Sequence, residues 1–128
     1  MKEKEMKLME LAKLVNDMKV GEVIDFANGD EEEVERYAGW CGVKRIDEFY
    51  NDNPMYLVSH YGGECECVLY HLSEYDPRIG DFCDPRLRCY NRTITEKDWI
   101  ECCARMLADY LETHMDGVAE VITVDVEE

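Results

Sequence analysis

The sequence predicts an α+β domain in which three helices pack on a mainly antiparallel sheet of about four strands, in the order α-β-α-β-β-(β)-α-β. Three observations lead there. Apolar residues recur at helical spacing in three windows, shorter apolar–polar alternations fill the gaps, and Gly62-Gly63 separates two of those alternations as a primed hairpin turn would. At 128 residues and 46% hydrophobic content the chain is the size of one domain (1–128), with enough apolar mass for a core.

Taken in order, the first helix is expected from Lys2 to Met18, with Leu8, Leu11, Ala12, Val15 and Met18 on one stripe. Glu22–Phe26 follows as a short strand suited to a sheet edge. A second helix is expected from an Asp30 N-cap, with acids in its first turn to complement the macrodipole. Its buried face is Val34, Tyr37, Ala38 and Cys41, and Gly42 is its C-terminal stop. Val43–Phe49 is a further strand candidate. Met55–Tyr61 and Glu64–Leu72 form the hairpin around Gly62-Gly63.

From about 73 to 94 the periodicity stops, and Asp76-Pro77-Arg78 and Asp84-Pro85-Arg86 are turn signals. The third helix opens on Thr95 with Asp98 as a capping box. It carries Trp99, Cys103, Met106, Tyr110 and His114 on one face and closes at Gly117. In the last strand, Val118–Val126, Ile122, Val124 and Val126 alternate with Val121, Thr123 and Asp125.

Charge narrows the partners. Fourteen Lys and Arg stand against thirty Asp and Glu, a net charge of −16. Residues 20–77 hold −11 and residues 98–128 hold −8, on either side of a loop region at +2. Such a field repels phosphate backbones and anionic membranes, so direct nucleic-acid and membrane binding are not expected. It attracts basic protein surfaces. The acidic patch Asp30, Glu31, Glu32, Glu33 and Glu35, together with Glu64 and Glu66 on the hairpin, is the candidate partner-binding surface. Tyr37, Trp40 and Tyr61 lie near these acids as aromatic anchors. The same charge runs also describe a solvated face that only maintains solubility.

No 18-residue apolar run is present and the first residues are charged, so the expected location is cytoplasmic, the host cytosol if the chain is phage-encoded. Seven cysteines in a reducing compartment argue against a disulfide framework. A two-residue turn at Gly62-Gly63 sets Val58 opposite Cys67 and His60 opposite Cys65, which puts all four on one face with Tyr56 and Leu69. Cys65, Cys67, Cys83 and Cys89 can then supply four ligands to a structural zinc ion, with His60 as a substitute for one. The alternative is that the shared face is the core face and these cysteines are small buried hydrophobes. Cys41, Cys102 and Cys103 sit among apolar neighbours and are expected in the core; His71 and His114 are expected to be structural.

The chain contains no G-x-x-x-x-G-K-[ST], G-x-G-x-x-G, H-E-x-x-H or G-x-S-x-G motif, and no carboxylate pair is singled out as catalytic. In size, acidity and lack of catalytic motifs it resembles the small anti-CRISPR proteins of phages and mobile elements, the Cas9-directed type II inhibitors above all. That resemblance implies a non-enzymatic inhibitor that blocks Cas9 DNA loading or activity through an acidic, DNA-mimicking surface. It transfers no individual residue. Two other readings stay open: a zinc-stabilised cytosolic adaptor or regulator, and a small enzyme using a Cys/His pair such as His60 and Cys65.

Overall fold

The computed structural model describes residues 2–32, 39–50, 53–61, 66–70 and 95–126. In chain order the elements are β1 (Lys2–Met6), α1 (Leu8–Asn16), β2 (Val23–Asn28), β3 (Trp40–Tyr50), β4 (Asn53–His60), β5 (Glu66–Tyr70), α2 (Glu96–His114) and β6 (Ile122–Val126). The six strands form one sheet in the order β1-β6-β2-β3-β4-β5, and every pairing is antiparallel. The α+β class and antiparallel sheet are as expected, but the described residues hold six strands and two helices rather than about four and three.

Each difference traces to strand pairing. The expected first helix begins six residues late, because Lys2–Met6 pairs with β6 from Lys2↔Val126 to Met6↔Ile122. Leu11, Ala12, Val15 and Met18 are buried as the helical stripe requires. The second helix was expected to run through Cys41 to a stop at Gly42, yet both lie in β3, opposite Phe26 and Asp25 of β2. Glu31 and Glu32 are helical, and residues 33–38 lie outside the described residues. Partnering of β3 with strands on both sides overrides local helical spacing there. The segment expected as an edge, β2, is internal, between β6 and β3. The hairpin register is as expected, with Val58 opposite Cys67.

Alternation along the strands sorts the sheet into two faces. Phe26, Cys41, Val43, Tyr56, Val58, Ile122 and Val124 share one face and are fully buried. They join Leu11, Ala12 and Val15 of α1 and Cys103, Leu107, Tyr110 and Leu111 of α2 in one core. Burying each large apolar side chain contributes roughly 1.5–3 kcal/mol. Thr95 caps α2 as expected, its Oγ1 accepting from the Asp98 amide while Asp98 Oδ2 accepts from the Thr95 amide at 2.8 Å. The helix ends at His114 with Met115 as its C-cap, and Asp116 (φ +58) and then the expected Gly117 (φ +129, a conformation that suits glycine) turn the chain away.

β1 and β2 both run antiparallel to β6, hence parallel to each other, with α1 as their crossover and room between them for one strand. β6 fills that place. Two side chains hold it there. Asn28 donates through Nδ2 to the Gly117 carbonyl and accepts through Oδ1 from the Ala119 amide, both at 2.8 Å. Thr123, fully buried, donates through Oγ1 to the Gly29 carbonyl at 2.8 Å.

Asn28→Ala strands two backbone groups of the α2–β6 connection, so it is expected to destabilise by about 2 kcal/mol. Urea unfolding should show a lower midpoint with an unchanged slope. An unchanged midpoint would mean that β6 docks without this amide. A second test uses pH. Burial, reinforced by the Cys103 thiol, outweighs Arg45 and lifts the Tyr56 phenol from 10.0 to about 12. The folded state therefore holds this proton more tightly than the unfolded chain does. Its contribution is complete below about pH 10 and is lost by about pH 12, a fall of roughly 2–3 kcal/mol. In unfolding titrations over that range Tyr56→Phe should lose this part of the decline; parallel curves for the two proteins would count against it.

Candidate functional site

The face turned away from the core is chemically different. The ladders place Glu3 of β1 opposite Asp125 of β6, Asp125 opposite Asp25 of β2, Asp25 opposite Gly42 of β3, Gly42 opposite Ser59 of β4, and Ser59 opposite Glu66 of β5. One row thus crosses all six strands and carries four carboxylates.

Hydroxyls meet two of them. Ser59 Oγ donates to Glu66 Oε2 at 3.3 Å. Tyr61, whose amide donates to the Trp40 carbonyl at 2.9 Å, lays its phenol across Gly42. A Cβ at position 42 would lie 2.7 Å from Tyr61 Cζ and 3.1 Å from Asp25 Oδ1, so glycine creates the space in which Tyr61 reaches Asp25. The Tyr61 phenol is raised above its ordinary value by burial, then by the hydrogen bond to Asp25 and by that carboxylate's charge.

Asp25 and Asp125 form the first rung of the β2–β6 ladder, and residues opposite in such a rung have Cβ atoms about 5 Å apart. Each has its Oδ1 buried without a hydrogen-bond partner. Like charges facing across a rung destabilise a sheet, and an unsatisfied buried oxygen adds a desolvation cost. Where the rung ends, an open cleft of about 450 Å³ is lined by Leu14, Glu22, Val23, Ile24, Asp25, Val124, Asp125 and Val126. Three carboxylates stand among apolar walls, and at the rim Leu14 and Val23 are 37% and 51% exposed. Such a cleft fits a cationic head on an alkyl stem.

The expected patch is only partly within view. Asp30 is half-buried, and Glu31 and Glu32 are exposed, with the Glu31 amide donating to Glu5 Oε2 of β1 at 3.0 Å. Glu66 belongs to the carboxylate row, while Glu33, Glu35 and Glu64 lie outside the described residues. Of the expected metal ligands, Cys67 lies on the core face of β5, and Cys65, Cys83 and Cys89 lie outside the described residues. His60, the substitute ligand, is half-buried opposite Cys41. No group of three metal-ligating side chains comes together among the described residues. Cys41, Cys102 and Cys103 are buried as expected, and burial pushes the Cys103 thiol far above its ordinary range.

Two features were not anticipated. The pairing of Asp25 with Asp125 joins residues a hundred positions apart, and the alternation of β6 that sets Asp125 on the outer face was its only sequence signal. The other is the approach of His114 Nε2 to Cys67 Sγ at 3.3 Å, where His114 was expected to be structural. No family model matches the chain, and no curated protein or solved structure matches it either.

Asp25→Asn removes one of the two facing charges and keeps an acceptor for Tyr61. It is expected to stabilise the fold by about 0.5 kcal/mol, a rise of about 1–3 °C in Tm. Added salt should shrink the gain, since it screens the same repulsion. A lower Tm for the variant at every ionic strength would show that the Asp25 charge is neutralised within the fold.

Proposed function

We propose that this chain is a non-enzymatic protein-binding inhibitor of a basic nucleic-acid-handling protein, and that Asp25, Asp125 and Glu22 receive a Lys or Arg side chain of that partner. The observation that carries the reading is the facing pair Asp25 and Asp125, which line an apolar-walled cleft and each keep a buried Oδ1 atom without a hydrogen-bond partner. An inserted ammonium or guanidinium group supplies the missing donors and offsets the repulsion between the two acids. Leu14, Val23 and Val126 are placed to pack its alkyl stem.

The rest of the row widens the contact. Glu3 on one side and Glu66 on the other extend negative charge across the sheet, and the net charge of −16 steers a basic surface toward it from a distance. A protein groove built for nucleic acid offers Lys and Arg at phosphate spacing, which a carboxylate row can occupy. By its resemblance to anti-CRISPR inhibitors, Cas9 is the first partner to try.

The test is a binding titration of the full chain against purified Cas9, with and without its guide, at low and high salt. The native protein is expected to bind at low salt and to weaken steeply as salt rises. Asp25→Asn/Asp125→Asn should bind about tenfold more weakly or worse, with a flatter salt dependence and no loss of Tm. Equal affinity of the two proteins would remove the cleft from the interface; no binding in any condition would remove Cas9 as the partner.

A further inference from the structure

On β5 alternation turns Cys67 toward the core, opposite Val58, while Glu66 and Val68 face outward. On α2 a four-residue spacing stacks His114 on Tyr110, with ring centroids 4.5 Å apart and planes 25° from parallel. The two elements meet where Cys67 Sγ lies 3.3 Å from His114 Nε2. Both residues are only partly buried.

The other ring nitrogen fixes the chemistry. His114 Nδ1 is 3.0 Å from the Tyr110 carbonyl, which can only accept, so in the neutral ring Nδ1 carries the hydrogen. Nε2 is then a bare acceptor, and the Cys67 thiol donates to it. Stacking on Tyr110 keeps the ring from turning away. His114 is also in the last turn of α2, where the helix end favours a positive charge. A thiol beside a held, unprotonated imidazole is the arrangement that activates sulfur nucleophiles. Cys41, Cys102 and Cys103 lack access to solvent by comparison.

We propose that Cys67 is a redox modification site, with His114 as its base, that forms a mixed disulfide with low-molecular-weight disulfides of the glutathione type. His114 Nε2 takes the thiol proton as Cys67 Sγ attacks one sulfur of the disulfide. The new S–S bond forms as the old one breaks, and the departing thiolate receives the proton from the His114 imidazolium. Cys67 is oxidised and the departing sulfur reduced, with no other reactant. Of the reactions open to a sulfur nucleophile, disulfide exchange asks for little beyond these two groups.

The experiment incubates the full chain with glutathione disulfide over a range of pH and assigns adducts by fragment-ion mass spectrometry. Native protein and a Cys65→Ser variant are compared, because a neighbouring thiol can resolve the adduct. At neutral pH Cys67 is expected to react about tenfold faster than the same residue in the urea-unfolded chain. His114→Gln, checked for an unchanged circular-dichroism spectrum, should lose that advantage and shift the pH profile toward that of an ordinary thiol, with the unfolded rate unaltered. If His114→Gln fails to fold, the rate of native Cys67 against the same residue in the unfolded chain decides alone. A Cys67 rate no faster than in the unfolded chain overturns the proposal. So does stoichiometric zinc in the purified protein that blocks Cys67 until a chelator removes it.

Discussion

The architecture depends on β6 filling the place between β1 and β2. The crossover through α1 leaves those two strands parallel and one strand apart, and neither completes its ladder until β6 arrives between them. Ile122, Thr123 and Val124 are fully buried as a result. Polar side chains help fix the register, since Asn28 binds backbone groups of the connection into β6 and Thr123 binds the Gly29 carbonyl just past β2. The same register brings Asp125 beside Asp25. Fold and candidate site therefore share one cause: a slip of one residue in β6 would bury Asp125 and expose Val124.

The outer face works against stability. Two acids oppose one another across a rung, each with a buried oxygen lacking a donor, and the surrounding field is strongly negative. The core on the opposite face tolerates this because it is continuous from α1 through the central strands to α2. Unsatisfied polar groups in a folded domain call for an explanation, and the proposed cationic group of a partner would supply one. Gly42 has a comparable role at smaller scale: its missing side chain admits the Tyr61 phenol, which hydrogen-bonds the Asp25 carboxylate while Asp25 Oδ1 stays without a donor.

What the sequence made legible followed from short-range rules. The α2 cap at Thr95 and Asp98, its stop at Gly117, the α1 stripe and the Val58–Cys67 register all come from contacts within a few residues or one tight turn. The misread segments are those whose state is set by distant partners. Lys2–Met6 has helical composition and becomes a strand through β6, and Cys41-Gly42 looks like a helix end and becomes a strand between β2 and β4. The site was hidden for the same reason. Of the row only Glu66 is among the acids the sequence marks as a partner surface; Glu3, Asp25 and Asp125 are isolated in sequence and meet only through strand pairing. His114 was indistinguishable from a packing residue until β5 set a thiol against it.

One exposed boundary bears on how the protein behaves in a crowded solution. β1 is an edge of the sheet and reads Lys-Glu-Lys-Glu before Met6, with Glu3, Lys4 and Glu5 exposed. Among the described residues no strand pairs with its outer side, and any incoming strand must desolvate these charges or match them one by one. The alternating charges of that edge thus guard it against sheet-to-sheet growth.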